Sequence, residues 1–368
     1  MTTARGGTRL PLTRHRPPLS TLRAERVALI KPSALGDVIH ALPVLGALRH
    51  KYPDARISWV VNRAYQPLLD GHPALDETIP FDRGALKAGW KKAAGTSLAL
   101  ARQLRKRRFD LVIDLQGLAR SGLMTLATGA RRRVGLSTAR EGAHLAYTDV
   151  VAIPEPEKRH AIDRYWDVAE ALGVGHVPKR FDVPVRPESR AWVQQQMKDL
   201  PRPWLAFGVG ARWLTKRWPP DSFAELARRA QEKFGGTAFF VGAPDEAPLA
   251  KQVIAQLRGP WRDFVGTTSL QQLAGLLEAA DVMVANDTGP LHLAAALGRP
   301  CVAPYTCTQV RRHGPYGQAG GVETGVWCKG SYVRTCDRLE CMTELTPDRL
   351  WPVLATTLSA WASHSRSA

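Results

Sequence analysis

At 368 residues the chain exceeds one typical domain and suits two of roughly 150 to 200 residues each. Its 44% hydrophobic content supports a large core, and no run approaches the ~20 apolar residues that span a bilayer, which excludes an integral helical membrane protein. The formal charge of +18 asks for an anionic partner, whether nucleic acid, an anionic membrane face or a phosphorylated substrate, although arginine-rich codon usage gives part of the same excess with no function at all.

The first 26 residues carry six arginines among Thr, Gly and Pro and lack the apolar stretch of a secretory signal; residues 1–25 read as a flexible basic arm. From Val27 short apolar runs alternate with amphipathic stretches. Val27 to Ile30 predicts a strand, His40 to Arg49 a helix, Ile57 to Val61 a strand, Thr96 to Arg107 a helix, Leu111 to Leu115 and Val150 to Ile153 strands, and His160 to Leu172 a helix. This is the rhythm of a parallel sheet with crossover helices. Val177 to Pro187, with three prolines among charged residues, reads as a link.

A second series follows, with strands at Trp204 to Phe207, Ala238 to Val241, Asp263 to Val265, Val282 to Ala285 and Cys301 to Pro304. Helices are expected near Asp221 to Phe234, Pro248 to Leu257 and Leu270 to Ala279. The expected fold is therefore α/β with two Rossmann-like doubly wound domains, 26–180 and 181–346. A last helix in 347–368 is expected to pack back on the first domain.

Two strand-loop-helix passages stand out. Asn286-Asp287-Thr288-Gly289-Pro290-Leu291-His292 follows an apolar strand and opens an alanine-rich helix. A helix N-terminus offers unpaired amides and partial positive charge, so this loop can hold a phosphate. Lys31 to His40 is the other, and two doubly wound domains would bring both loops to the carboxyl ends of their sheets across a cleft.

The motifs KPSALGDVIHALP (Lys31 to Pro43), DLQGLARS (Asp114 to Ser121), KRWP (Lys216 to Pro219) and NDTGPLHLAAALGRP (Asn286 to Pro300) together resemble glycosyltransferase family 9, the ADP-heptose:lipopolysaccharide heptosyltransferases. The His40-Ala41-Leu42-Pro43 and Trp59-Val60-Val61 stretches are similar to members that add the first heptose to Kdo. The resemblance implies the GT-B fold, with acceptor bound mainly by the N-terminal half and nucleotide sugar by the C-terminal half. It also implies inverting transfer without a metal or other cofactor.

On this resemblance Asp37 is the candidate general base, although an aspartate here also suits a helix cap. Lys216 would meet the leaving diphosphate, its alternative being a solvent-facing lysine. Gly210, Thr288, Gly289 and Pro290 complete the donor loops, with Thr288 and Gly289 acting through backbone amides. Asp287 faces sugar hydroxyls or its own loop, and His292 is either a packing or a ligand-contacting histidine. Glu246 follows a strand where a carboxylate can accept from a ribose hydroxyl, or it caps the next helix.

The acceptor set is Ser33, Gly36 and Gln116 from the matched motifs, with the basic residues Arg83, Lys87, Lys91, Arg120 and Arg140 for an acceptor carrying Kdo carboxylates and lipid A phosphates. Each of these cations is individually consistent with a solvated surface. The run Arg102 to Arg108 complements a helix C-terminus or rests on an anionic inner leaflet.

Five cysteines, four of them after position 306, fit a reducing cytoplasm better than an oxidised scaffold. Cys328, Cys336 and Cys341 lack a CxxC pair, so they read as structural thiols and no metal site is expected. The leading expectation is a heptosyltransferase using an ADP-sugar donor and a lipid-linked Kdo-lipid A acceptor, peripheral on the cytoplasmic side of the inner membrane of a Gram-negative bacterium. A GT-B nucleotide-sugar epimerase would turn over without an acceptor. A nucleic-acid binder rests on charge alone, and no nucleic-acid partner is expected.

Overall fold

The structure, a computed structural model, describes residues 17–82, 84 and 89–365. In the first unit the elements run β1 (Arg26–Ile30), α1 (Leu35–Lys51), β2 (Arg56–Asn62), β3 (Glu77–Phe81), α2 (Trp90–Lys106), β4 (Leu111–Asp114), α3 (Ala119–Thr128), β5 (Arg132–Leu136), β6 (Asp149–Val151) and α4 (Ala161–Ala171). The strands form one parallel sheet in the order β3-β2-β1-β4-β5-β6. Val27, Leu29, Trp59 and Ile113 are buried on one face of the sheet and Ala28, Ile30, Val60 and Val112 on the other, as a sheet covered by helices on both faces requires.

The second unit runs α5 (Pro187–Met197), β7 (Trp204–Gly208), α6 (Pro220–Phe234), β8 (Thr237–Phe240), α7 (Ala247–Ile254), β9 (Trp261–Asp263), α8 (Leu270–Ala279), β10 (Val282–Ala285), α9 (Gly289–Ala296), β11 (Cys301–Tyr305), α10 (Val310–His313) and β12 (Gly321–Glu323). Helices α11 (Glu340–Glu344) and α12 (Pro347–Ser365) close the chain. Its parallel sheet has the order β12-β11-β10-β7-β8-β9. Read from each unit's own first strand, both sheets have the doubly wound order 3-2-1-4-5-6, in which the chain direction of winding reverses between strands one and four.

That reversal fixes where loops can gather. Ile30 pairs with Asp114 and Gly208 with Ala285, so the loops after β1 and β4 emerge side by side in one unit and those after β7 and β10 do so in the other. Helices α1 and α9, which leave the first and last of these four loops, pack on each other, and one apolar cluster runs through them from Val27 and Leu45 to Leu291 and Leu293. A second cluster fills the far side of the second sheet.

Gln271, buried on α8, joins three segments. Its Nε2 donates to Pro67 O of the first unit at 2.7 Å and to Pro184 O of the connecting segment at 3.0 Å, while its Oε1 accepts from Arg186 N at 3.0 Å.

Four expectations change. Residues 17–25 are not a free arm: Leu19 and Leu22 pack on the first core, Lys51 Nζ donates to Ser20 O at 3.0 Å, and Arg132 donates to Pro17 O at 2.9 Å. Residues 1–16 lie outside the described residues. Helix α12 packs on α6, not on the first unit. Leu350, Leu354 and Leu358 share one face and insert beside Phe223 and Ala227, because Trp218 Nε1 holds Leu345 O at 2.7 Å and so starts the helix on the second unit. Helix α1 begins at Leu35, five residues before the apolar periodicity suggests, and Pro187 begins α5 where a link was expected.

Candidate active site

The first loop is built around a lysine that has left water. Lys31 is 2% exposed; its Nζ donates to Leu115 O at 3.1 Å and lies 3.6 Å from Asp37 Oδ1. Trp59 Nε1 donates to Lys31 O, so the fully buried indole fixes the start of the loop. Asp37 stands in the first turn of α1, where its Oδ2 accepts from Ala34 N at 3.0 Å and its Oδ1 from the Tyr165 hydroxyl at 3.2 Å. The aspartate thus serves as a helix-start acceptor and still presents a carboxylate that is 41% exposed.

Partial burial pushes the Asp37 carboxyl up, but the Lys31 ammonium, the Ala34 amide and the Tyr165 hydroxyl outweigh it and hold the group below the ordinary carboxylate range. Burial opposes the charge on Lys31 in the same way, and Asp37 and Tyr165 outweigh it, so the pair is ionised.

The loop after β4 lies beside this one. Buried Asp114 accepts from Gln116 N at 2.8 Å, Gly117 N at 3.1 Å and the Tyr147 hydroxyl at 2.8 Å, which shapes the turn. Gly117 has φ +65°, and a methyl there would stand 3.2 Å from Ala139 Cα, so this position requires glycine. The turn places Gln116 Oε1 3.3 Å from Ser33 N, joining two of the expected acceptor residues.

In the second unit Asn286 ties three strands of loop together. It accepts from Trp218 N at 3.1 Å and donates to Val209 O at 2.9 Å and Gly210 O at 3.3 Å. Asp287 is 4% exposed and fully engaged: Oδ2 receives Lys216 Nζ at 2.6 Å and Thr308 Oγ1 at 2.7 Å, and Oδ1 lies 3.2 Å from His292 Nε2. Burial pushes this carboxyl up, but His292 and Lys216 outweigh it and hold it far below the usual range.

Of the two readings of Asp287, the geometry matches engagement within its own surroundings. Lys216 is not a free surface lysine; it also donates to Asp287 O at 3.2 Å, and an ammonium has a third N–H to offer. The Thr288 hydroxyl turns back to Asn286 O and does not cap α9, so no side chain caps the start of that helix.

The two loops meet. A methyl on Gly36 would stand 2.6 Å from His292 Cδ2, and one on Gly289 2.7 Å from Leu35 Cδ2. His292 therefore touches the Asp37 loop on one side and bonds Asp287 on the other, and its ring lies 4.4 Å from that of His40. Glu246 folds over the donor turn, accepting from Ala243 N at 2.8 Å and crowding Gly210 so closely that a methyl there would stand 2.0 Å from Glu246 Cδ. Burial raises its carboxyl.

The basic acceptor residues are less gathered. Arg120 lies over the Phe81 ring at 5.6 Å, Lys91 over Trp90 at 5.6 Å, and Arg140 is exposed with its amide on Gly117 O. Arg83 and Lys87 lie outside the described residues. Other cations come from places that sequence reasoning missed. Arg164, on α4 beside Tyr165, and Arg312, on α10, each bury an Nε that has no hydrogen-bond partner. Burial and the nearby Arg312 charge lower Arg164's hold on its proton, while Asp37 restores part of it. Arg312 stacks on Tyr332 at 5.0 Å. His313 faces both Asp37 and Asp287, and burial drops its imidazole to about 3, so it is neutral.

Among the described residues no group of three or more His, Cys, Asp or Glu has metal-binding geometry, no disulfide forms, and no helix is long and apolar enough to cross a membrane.

A carboxylate held ionised at one winding reversal and a lysine-braced aspartate at the other lie one imidazole apart. The sequence pattern of glycosyltransferase family 9 (heptosyltransferase) matches residues 97–341. The chain belongs to that family. It is 31% identical over 305 residues to lipopolysaccharide heptosyltransferase 1 of Pseudomonas aeruginosa, covering 80% of this chain and 82% of that one. It is 27% identical to the lipopolysaccharide core heptosyltransferase OpsX of Haemophilus influenzae, covering 83% and 86%. The solved Escherichia coli heptosyltransferase WaaC with ADP aligns with a TM-score of 0.72 at 26% identity, over 90% of this chain and 99% of that chain. The protein is a glycosyltransferase of GT-B fold.

Proposed function

We propose that the protein transfers L-glycero-D-manno-heptose from ADP-heptose to the Kdo/heptose inner core of lipopolysaccharide, with inversion and without a metal. The observation that carries this reading is the meeting of the ionised Asp37 carboxylate with the Lys216–Asp287 cradle across His292, in a chain of the heptosyltransferase family. An acceptor hydroxyl would give its proton to Asp37 as its oxygen attacks the anomeric carbon from the face opposite ADP. The bond to the β-phosphate oxygen breaks as the new glycosidic bond forms. Charge developing on the departing ADP would meet the third N–H of Lys216 and the amides that open α9.

Because Asp37 is held below the usual carboxylate range, it is a weak base in the ground state. Proton transfer is then late, after attack has acidified the hydroxyl. Ser33 and Gln116 line the acceptor side of Asp37, and Arg164 and Arg312 would take an acceptor carboxylate there. Glu246 would accept from the ribose. An enzyme acting on a lipid-linked, anionic acceptor would work in the cytoplasm against the inner membrane of a Gram-negative bacterium.

The test is incubation with ADP-heptose and Kdo2-lipid A, following ADP release and the mass of the lipid product. ADP formation that depends on the acceptor, with lipid gaining one heptose, is expected. Turnover of the donor with no acceptor would point to an epimerase, and no turnover with this or other inner-core acceptors would overturn the proposal.

A further inference from the structure

We infer that the α2–α3 face of the first unit is a membrane-docking surface, seated on a bilayer of anionic headgroups with its leucines in the hydrocarbon boundary. This rests on the reading that the acceptor is lipid-linked. Helix α2 carries Lys91, Leu98, Arg102 and Arg105 at intervals of seven, four and three residues, which places them on one stripe. Helix α3 carries Arg120, Leu123 and Leu126 at intervals of three. Leu98, Leu123 and Leu126 are 51%, 67% and 47% exposed, an unusual concentration for apolar side chains of this size. Trp90, at the start of α2, is 78% exposed, as is Leu145 on the short turn packed against α3.

Between the two helices runs a groove of about 420 Å³ lined by Phe81, Leu100, Leu104, Leu123 and Met124, with Arg120 at its rim. An apolar floor, exposed leucines, an interfacial tryptophan and basic residues on the same faces are what a surface lying in the headgroup layer needs.

Charge decides between a bilayer and another protein. The seventeen residues of α2 include five Lys or Arg and not one Asp or Glu, and α3 adds Arg120 with no acid. A self-complementary contact between two copies would press these like charges together, whereas an acidic leaflet neutralises them. The placement also serves the chemistry. Arg120 stands at the start of α3, four residues past Gln116, whose side chain bonds the Ser33 amide beside Asp37. The docked face therefore runs into the acceptor side of the site, and a substrate anchored in the leaflet need not leave it.

The experiment is cosedimentation of the full chain with phosphatidylglycerol-containing and pure phosphatidylcholine vesicles at low and high salt. The protein is expected to bind the anionic vesicles at least tenfold more tightly, with the preference falling as salt rises. Leu98→Gln/Leu123→Gln/Leu126→Gln should weaken binding to anionic vesicles at least tenfold. Arg102→Gln/Lys106→Gln should weaken it by about fivefold per charge while leaving phosphatidylcholine binding unchanged. Both variants alter exposed positions, and an unchanged thermal midpoint and unchanged ADP affinity confirm folding. Equal binding to both vesicle types, or a triple variant that binds like the parent, would overturn the proposal. So would a parent that sediments as a dimer and a triple variant that sediments as a monomer, since the face would then belong to a second copy. Vesicle binding needs no donor sugar, so failure of heptose transfer with intact vesicle binding would refute the proposed reaction and leave the docking face standing.

Discussion

Asp37 shows how one side chain reconciles two readings of a sequence position. Its Oδ2 satisfies the Ala34 amide, yet Lys31 and Tyr165 hold the group ionised at a solvent-reachable edge. Asp37→Ala is expected to lower transfer by on the order of a hundred- to ten-thousand-fold while ADP-heptose affinity by calorimetry stays within about twofold. The active form is the carboxylate, and its pKa is lowered, so kcat/KM should be flat from about pH 5 upward and fall only in more acid solution. Tyr165→Phe removes a hydrogen bond that favours the charged form and should shift that acid limb toward higher pH; an unmoved limb would show that the hydroxyl does not tune the base.

Arg312 offers a separate reading of the acceptor. Arg312→Ala should raise the acceptor KM roughly tenfold or more with a small change in kcat, and an acceptor lacking the carboxylate should show little difference between parent and variant.

At the level of the element, helix starts carry much of the chemistry. His160 caps α4: its Nδ1 accepts from Ile162 N at 3.1 Å while Nε2 donates to Gly314 O at 3.0 Å, which fixes the neutral tautomer and ties α4 to the second unit. Burial lowers its pKa to about 4, so between about pH 4 and 6.5 the unfolded chain binds more protons than the native one. Stability should therefore rise with pH across that window, by roughly 3 kcal/mol at most from this residue, and level off above it. Denaturant midpoints for the parent and for His160→Asn, which keeps a capping side chain, would check this; the variant should show a shallower slope.

Elements of this kind were unevenly legible. The apolar runs of β1, β2, β4, β7 and β10 announce themselves because both faces are buried, and they locate the loops that follow them, whereas Asp37 and Lys216 are singled out within those loops only by the motifs that resemble the family. Strand β5, with its arginines, and the three-residue β12 carry no such run and leave no mark in the sequence. Asn286 sat in a motif, and its structural role emerges only from bonds to residues 68 and more positions away. Arg164, Arg312 and His313 reach the site from one ordinary amphipathic helix and one helix of only four residues, which no local pattern marks.

For the whole molecule, the continuous apolar cluster through α1 and α9 makes the two sheets interdependent. Calorimetry should show one unfolding transition with equal calorimetric and van't Hoff enthalpies, and fluorescence and far-ultraviolet dichroism should report coincident midpoints. Two resolved transitions would show that the shared cluster does not couple the units.

The Gln271 amide adds a restraint of another kind, since it is a single rivet through three plates. Any gaping of the cleft that separates α8 from the Pro67 turn must shear that amide from one carbonyl or carry the connecting segment along with it. An opening that spares this amide must pivot close to α8 and the Pro67 turn, with the widest displacement at the part of the entrance farthest from them.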